Sequence, residues 1–256
     1  MLLKWLSIVF GVGAVGALAF LNLGSAWADP DALWRIITTE CVPHASAPDP
    51  QHCAAVDIRN GVERGTVVLK DRNGAVQYLL LPTARITGIE SPALLAPQMP
   101  NYFAAAWRAR TFVDALVHHA VPRDEMSLAV NSEQGRSQNQ LHIHIDCLSV
   151  DVRDALRRHG EEIGDRWAPL AIPLAGVHYL ARRVAGEELD PNPFSLLAEL
   201  PDARVAMGKQ TLVVVGANLP DGKPGFYLLS DHVDAVPGDM ASGEMLQDHA
   251  RACAAP

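Results

Sequence analysis

The chain has 256 residues, 49% of them hydrophobic and 20% charged, which is enough apolar material for one large core or two small ones. Its formal net charge is −8, and beyond the doublets Arg157-Arg158 and Arg182-Arg183 it shows no basic stripe. That balance argues against a protein that grips a nucleic-acid polymer through its phosphates.

The N-terminus, MLLKWLSIVFGVGAVGALAFLNLGSAWADPD, carries one cation, Lys4, then an apolar run from Trp5 to Leu23, then Ala26-Trp27-Ala28 before Asp29. The run is longer than a typical signal core and about the length that crosses a bilayer, whereas Ala-x-Ala is a cleavage pattern. Residues 1–28 are therefore expected to be an uncleaved membrane anchor or a cleaved signal sequence, and both export the rest. A cation before the segment and acids after it favour an N-terminus left in the cytoplasm. The expectation is a single anchor in the inner membrane with residues 29–256 in the periplasm. Export makes the four cysteines intelligible. The simplest of their three connectivities joins Cys41 to Cys53, across the Pro-rich loop 42–52, and Cys147 to Cys253.

Residues 31–40 read as a short helix. The stretches 65–71 and 76–82 are β-branched and aliphatic, and Asn73-Gly74 between them signals a hairpin turn. In 101–119, Phe103, Ala106, Trp107, Val113, Leu116 and Val117 recur at helical spacing. Met126 to Val130 reads as a strand, followed by a polar loop, a second strand over 140–148, and a helix over 149–167 opened by Ser149. Residues 168–256 look like a second α+β half. In that half 178–184, with His178, Arg182 and Arg183, reads as helical, as do 193–207 and 239–253. Residues 211–218 and 225–231 read as a hairpin. Hairpins mixed with helices, without regular strand–helix alternation, predict an α+β fold with antiparallel sheets.

The stretch 137–147, SQNQLHIHIDC, carries the chemistry. Strand side chains alternate between faces, so Leu141, Ile143, Ile145 and Cys147 share one face, and Gln138, Gln140, His142, His144 and Asp146 share the other. Solvated strand faces usually carry Thr, Lys, Glu and Ser, not imidazoles. Two chemistries fit. His142, His144 and Asp146 could supply imidazole and carboxylate ligands to zinc, with His178 or His232 as distant partners. Alternatively, a neutral imidazole attacks phosphorus, opens a phosphoanhydride and is then freed by water. The second chemistry needs donors around the phosphate, and the preceding loop offers Asn131, Gly135, Arg136, Ser137, Gln138 and Asn139. Arg136 has the planar fork suited to phosphate.

The run Asn131…Gly135-Arg136-Ser137…Gln140-Leu141-His142-Ile143-His144 resembles the histidine-triad (HIT) superfamily of nucleotide hydrolases and transferases. More specifically, the chain resembles the CDP-diacylglycerol pyrophosphatase family. The matching pieces are the N-terminal membrane segment, Cys41 and Cys53, 66–71 with 77–82, 86–92, 129–132 with 135–147, 178–184 and 192–199. The resemblance implies a HIT-like antiparallel sheet with flanking helices over 29–256. It also implies hydrolysis of the lipid substrate CDP-diacylglycerol to CMP and phosphatidate, at a membrane and with no metal or other cofactor. Carried over by position, His142 is the nucleophile that forms a covalent cytidylyl intermediate. His144 binds the phosphate or polarises the leaving group. Gln140 stands at the first triad position, where HIT proteins have His, and is expected to orient the nucleophile by hydrogen bonding. Ser137 and Asn131 lie by the phosphate, Asp71 lies roughly where an acid meets the ribose hydroxyls, and Lys70 approaches phosphate. Gln77 matches a fourth histidine of many HIT proteins. Two other readings stay open: an exported zinc hydrolase, and a non-catalytic nucleotide- or lipid-binding module in which Gln140 marks lost activity.

Overall fold

Among the described residues, nine strands form one antiparallel sheet. The computed structural model describes residues 29–47, 53–250 and Cys253. The membrane segment expected over 1–28 lies outside the described residues. Among those described, no helix is long and apolar enough to cross a membrane. The strands are β1 (Cys53–Asp57), β2 (Thr66–Lys70), β3 (Tyr78–Pro82), β4 (Met126–Val130), β5 (Ile143–Cys147), β6 (Ala168–Pro169), β7 (Leu180–Ala185), β8 (Gln210–Asn218) and β9 (Pro224–His232). Their order is β1-β2-β3-β5-β4-β8-β9-β7-β6. The helices are α1 (Ala32–Ile36), α2 (Tyr102–Ala109), α3 (Thr111–Val117), α4 (Val150–His159), α5 (Pro193–Leu197) and α6 (Pro201–Val205).

The two halves of the chain share this one sheet, joined by the β4–β8 ladder from Ser127↔Val215 to Val130↔Leu212. They also repeat a topology. β2 and β3, two helices, then β4 and β5 make the first half; β6 and β7, two helices, then β8 and β9 make the second. In each, the spatial order is first, second, fourth, third strand.

Several sequence expectations change: the helix read over 193–207 is two, α5 and α6, and that over 149–167 ends at His159. The stretch 178–184 is not a helix: from Leu180 it belongs to strand β7, pairing along β9 from Leu180↔Ser230 to Ala185↔Gly225. The Arg182-Arg183 doublet hides the alternation, yet Ala181 and Val184 face the interior from opposite sides of the sheet. The helix over 101–119 is broken into α2 and α3 at Arg110. Its guanidinium donates to the Trp107 carbonyl (2.6 Å), the acceptor that residue 111 would otherwise use. Among its described residues, the C-terminal stretch 239–253 is helical in one 3₁₀ turn, Gly243–Leu246. Its backbone is occupied elsewhere: Ser132 N–H donates to the Ala241 carbonyl, Ser149 N–H to Leu246, and Asp248 N–H to the Cys147 carbonyl.

Each sheet face buries a different set of elements. On one, Phe103 and Trp107 of α2 and Phe194 of α5 pack over Leu128, Ile143, Ile145, Val214 and Phe226. On the other, α4 covers β8 and β9 through Val152 and Leu156, against Val213, Val215 and Leu229. At the far end of that same face, Ile37 and the turn after α1 cover Val67, Leu69, Leu79 and Leu81. Between these two covers lies the polar side of β5, overlaid by residues 240–249.

Both disulfides follow the simplest pairing, Cys41–Cys53 and Cys147–Cys253. Cys147 and Cys253 lie in the core on the α2 side. The C-terminal segment therefore crosses the histidine face and is stapled behind it. With a separation of 106 residues, the Cys147–Cys253 bridge closes a long loop, worth about 4.7 kcal/mol in the chain-entropy model. Cys147→Ser is expected to lower the melting temperature by about 10 °C, read by calorimetry under non-reducing conditions. An unchanged Tm would mean that the bridge contributes nothing to stability.

Candidate active site

Strand period places the site. Ile143, Ile145 and Cys147 point into the α2 core, so His142, His144 and Asp146 point to the other face. All three are buried, and Gln140 with them. His144 sits in register between Leu79 of β3 and Ala129 of β4.

The strand expected over 140–148 runs only from Ile143 to Cys147, and the His142 ring is held by the segment that leads into it. Nδ1 lies 2.7 Å from the Gln140 carbonyl oxygen. A carbonyl only accepts, so Nδ1 carries the hydrogen, and the neutral ring leaves its lone pair on Nε2. Burial pushes His142 below the ordinary value of 6.5, against the Gln140 carbonyl and the negative charges of Glu244 and Asp71. The His142 and His144 rings meet edge to face, with centroids 4.9 Å apart. Burial, helped by His142 and His249, holds His144 well below 6.5. His144 Nδ1 stands 3.3 Å from Glu244 Oε2. The alignment is too poor for a hydrogen bond, so both ring nitrogens are buried without one.

Asp146 has no exposure. Its Oδ1 accepts from Cys147 N–H (2.8 Å) and its Oδ2 from His249 Nδ1 (3.1 Å). Burial raises the carboxyl while His249 opposes the rise; the hydrogen bond to Asp146 in turn raises His249. The Gln77 amide nitrogen lies 3.3 Å from the same His249 nitrogen.

The orienting contact expected of the Gln140 side chain is made instead by its backbone. The side-chain Nε2 donates to the carbonyls of Pro82 (3.0 Å) and Ala84 (2.9 Å), pinning the start of the strand to the end of β3. The donor loop is also more occupied than its composition suggests. Arg136 is buried and forks onto Glu90, at 2.6 and 2.9 Å. Burial works against ionising Glu90, but Arg136 and the Thr87 hydroxyl outweigh it and hold the carboxyl below its ordinary value. Gly88 belongs to this pair, since any side chain there would run into the Arg136 guanidinium. The fork that the sequence offered to phosphate is thus already paired with a carboxylate. Gln138 accepts from Leu33 N–H (3.1 Å) and donates to the Asp29 carbonyl (2.9 Å). Asn139 N–H donates to the Pro30 carbonyl (2.6 Å). Ser137 and Asn139 are exposed at the loop surface.

Lys70 is placed away from the histidines. It pairs with Tyr78, which pairs with Ile145, so it faces the opposite side of the sheet from His144. Its Nζ caps the following turn at the Asp71 (2.8 Å) and Gly74 (3.0 Å) carbonyls. Asp71 closes that turn by accepting from Asn73 N–H (3.0 Å), and its charge reaches His142.

Sequence reasoning missed three residues of the site, all in the C-terminal segment. Asn131 Nδ2 donates to Glu244 Oε1 (2.8 Å). Gln247 Nε2 donates to Ser127 Oγ (3.0 Å) and the His144 carbonyl (3.3 Å). His249 completes the set on Asp146. One signal pointed to them: a Cys147–Cys253 bridge requires the residues just before Cys253 to lie near β5. The alternative zinc set does not assemble, because Asp146 is held by His249 and the backbone. His178 and His232 belong to the β7–β9 side, beyond β4 and β8. Among the described residues no three His, Cys, Asp or Glu side chains gather as a metal site.

The comparisons with known proteins agree on one family. A family model described as CDP-diacylglycerol pyrophosphatase matches residues 28–255. A curated protein of Yersinia pestis, named CDP-diacylglycerol pyrophosphatase, is 44% identical over 245 residues, covering 94% of this chain and 89% of the relative. The matched span includes β5, the donor loop and the C-terminal segment that lies over them, and by its extent the chain belongs to the CDP-diacylglycerol pyrophosphatase family.

Proposed function

We propose that the protein hydrolyses CDP-diacylglycerol at its pyrophosphate by covalent catalysis on His142, releasing CMP and phosphatidate. The observation that carries the mechanism is the 2.7 Å contact of His142 Nδ1 with the Gln140 carbonyl. It leaves Nε2 of a neutral ring as a lone-pair donor. Nε2 attacks the cytidylyl phosphorus; a P–N bond forms as the P–O bond to the phosphatidate phosphate breaks. Water then attacks the same phosphorus, the P–N bond breaks, and the electron pair returns to Nε2. Hydrogen bonds to the phosphate oxygens come from Ser137, Asn131, the backbone of the donor loop and His144.

The triad-like strand and the repeated strand order support a HIT-like reading of the fold, with the first half of the chain carrying the chemistry. At the positions that face the cover of α4, the second half has Val213, Val215, Tyr227 and Leu229. The N-terminal segment fits the lipid substrate. Gln138 and Asn139 fasten residues 29–33 to the loop that leads into β5. An anchor over 1–28, in the inner membrane with the remaining chain in the periplasm, would hold the site close to the bilayer that contains the substrate.

Full-length protein in detergent, assayed with CDP-diacylglycerol in excess EDTA, is expected to keep its activity, and His142→Ala to lose more than about a thousandfold in kcat. Loss of wild-type activity in EDTA with recovery on zinc would replace the covalent reading by the metal one. Tight CMP binding without turnover would select the binding module.

The pH profile follows from the neutral ring. Protonated His142 has no lone pair, and burial lowers its pKa below 6.5. The acid limb of kcat/KM is therefore expected below pH 6.5, with activity lost as pH falls through it. A profile flat down to about pH 4 would contradict a histidine nucleophile.

A further inference from the structure

Glu244 has no part in the steps above, yet it lies against Asn131 and His144, which do. Asn131 grips it twice, donating from Nδ2 to Oε1 at 2.8 Å and placing Oδ1 3.3 Å from the Glu244 N–H. Its other oxygen, Oε2, is 3.3 Å from His144 Nδ1 and 3.9 Å from His249 Nε2. A carboxylate in a pocket for a pyrophosphate dianion repels the substrate unless it supports a positive charge between them.

The candidate for that charge is His144. Both of its nitrogens are buried without a hydrogen-bond partner. Nδ1 faces Glu244, which leaves Nε2 for the phosphate. A neutral imidazole has one N–H. If it donates from Nδ1 to Glu244, its Nε2 lone pair meets the phosphate oxygens. Only the imidazolium serves both partners.

We propose that Glu244 is a positioning residue that holds His144 as an imidazolium in the substrate complex, with Nε2–H directed at the leaving oxygen of the phosphatidate phosphate. This rests on the covalent reading of His142. As His142 Nε2 bonds to phosphorus, the departing oxygen takes the P–O electron pair and the proton from His144 Nε2. His144 is then neutral and receives a proton from the attacking water as the P–N bond breaks, which restores the starting state. The other titratable or charged groups around the pair are the neutral His142 just before β5, His249 backed by Asp146, Asp71 on the turn after β2, and Arg136 neutralised by Glu90. In the empty site burial and the two flanking histidines keep His144 neutral. The arriving phosphates and Glu244 together reverse that preference.

The test compares wild type, Glu244→Gln, Glu244→Asp and His142→Ala, full length in detergent, with CDP-diacylglycerol from about pH 5 to pH 9. Glu244→Gln is expected to lower kcat about tenfold to a hundredfold near neutral pH, with KM changed by less than about threefold. The alkaline limb of kcat, which reports loss of the His144 proton, is expected to move down by about one pH unit, and Glu244→Asp to fall between Gln and wild type. A kcat lowered equally at all pH values, with the limb unmoved in both variants, makes Glu244 merely structural and overturns the proposal. If Gln does not fold, the limb of the Asp variant decides alone: displaced supports, unmoved overturns. Failure of the underlying reading looks different, since His142→Ala would then stay active.

Discussion

The hydrogen bond from His142 Nδ1 to the Gln140 carbonyl spans two residues of the segment that leads into β5. Its consequence is electronic: the proton sits on Nδ1 and the lone pair on Nε2, the atom that can reach a ligand. Burial reinforces this by disfavouring the charged ring. Contacts on either side of His142 keep that segment in place. The Gln140 amide clamps the strand entry to Pro82 and Ala84. The β3 and β4 ladders fix His144 beside it.

A buried polar strand face is expensive unless its groups find partners. Here the partners come from far along the chain. Residues 240–249 supply Glu244, Gln247 and His249, and their backbone is tied to Ser132, Cys147 and Ser149. The Cys147–Cys253 disulfide holds the end of this segment against the catalytic strand from the opposite core. The two covers on the histidine face, from α1 and from α4, leave the polar stretch of β5 between them. The site is thus the place where two apolar clusters stop and a polar strap takes over.

How much of this was legible in the sequence depends on the range of the interaction. The alternation of 141–147 placed His142, His144 and Asp146 on one face, because strand period is local. The Asn73-Gly74 hairpin and the Cys41–Cys53 pair, 12 residues apart, were legible for the same reason, and Cys147–Cys253 was then the pair left over. Strand β7 was not, since Arg182 and Arg183 interrupt the apolar pattern and Arg182 answers to Glu199, 2.6 Å away and distant in sequence. Arg136 and Lys70 have the right chemistry for phosphate, but Glu90 and the register of β2 claim them. Glu244 and His249 sit about a hundred residues from β5, and only the inferred disulfide hinted at their place.

The proposed mechanism requires a covalent bond between His142 and the cytidylyl phosphorus. Stereochemistry tests it most directly. CDP-diacylglycerol made chiral at that phosphorus by isotopic oxygen would be hydrolysed by the wild-type protein in isotopically labelled water, and the configuration of the CMP determined. Two in-line displacements, first by His142 and then by water, predict retention. Inversion would mean that water attacks directly, and would contradict the covalent account.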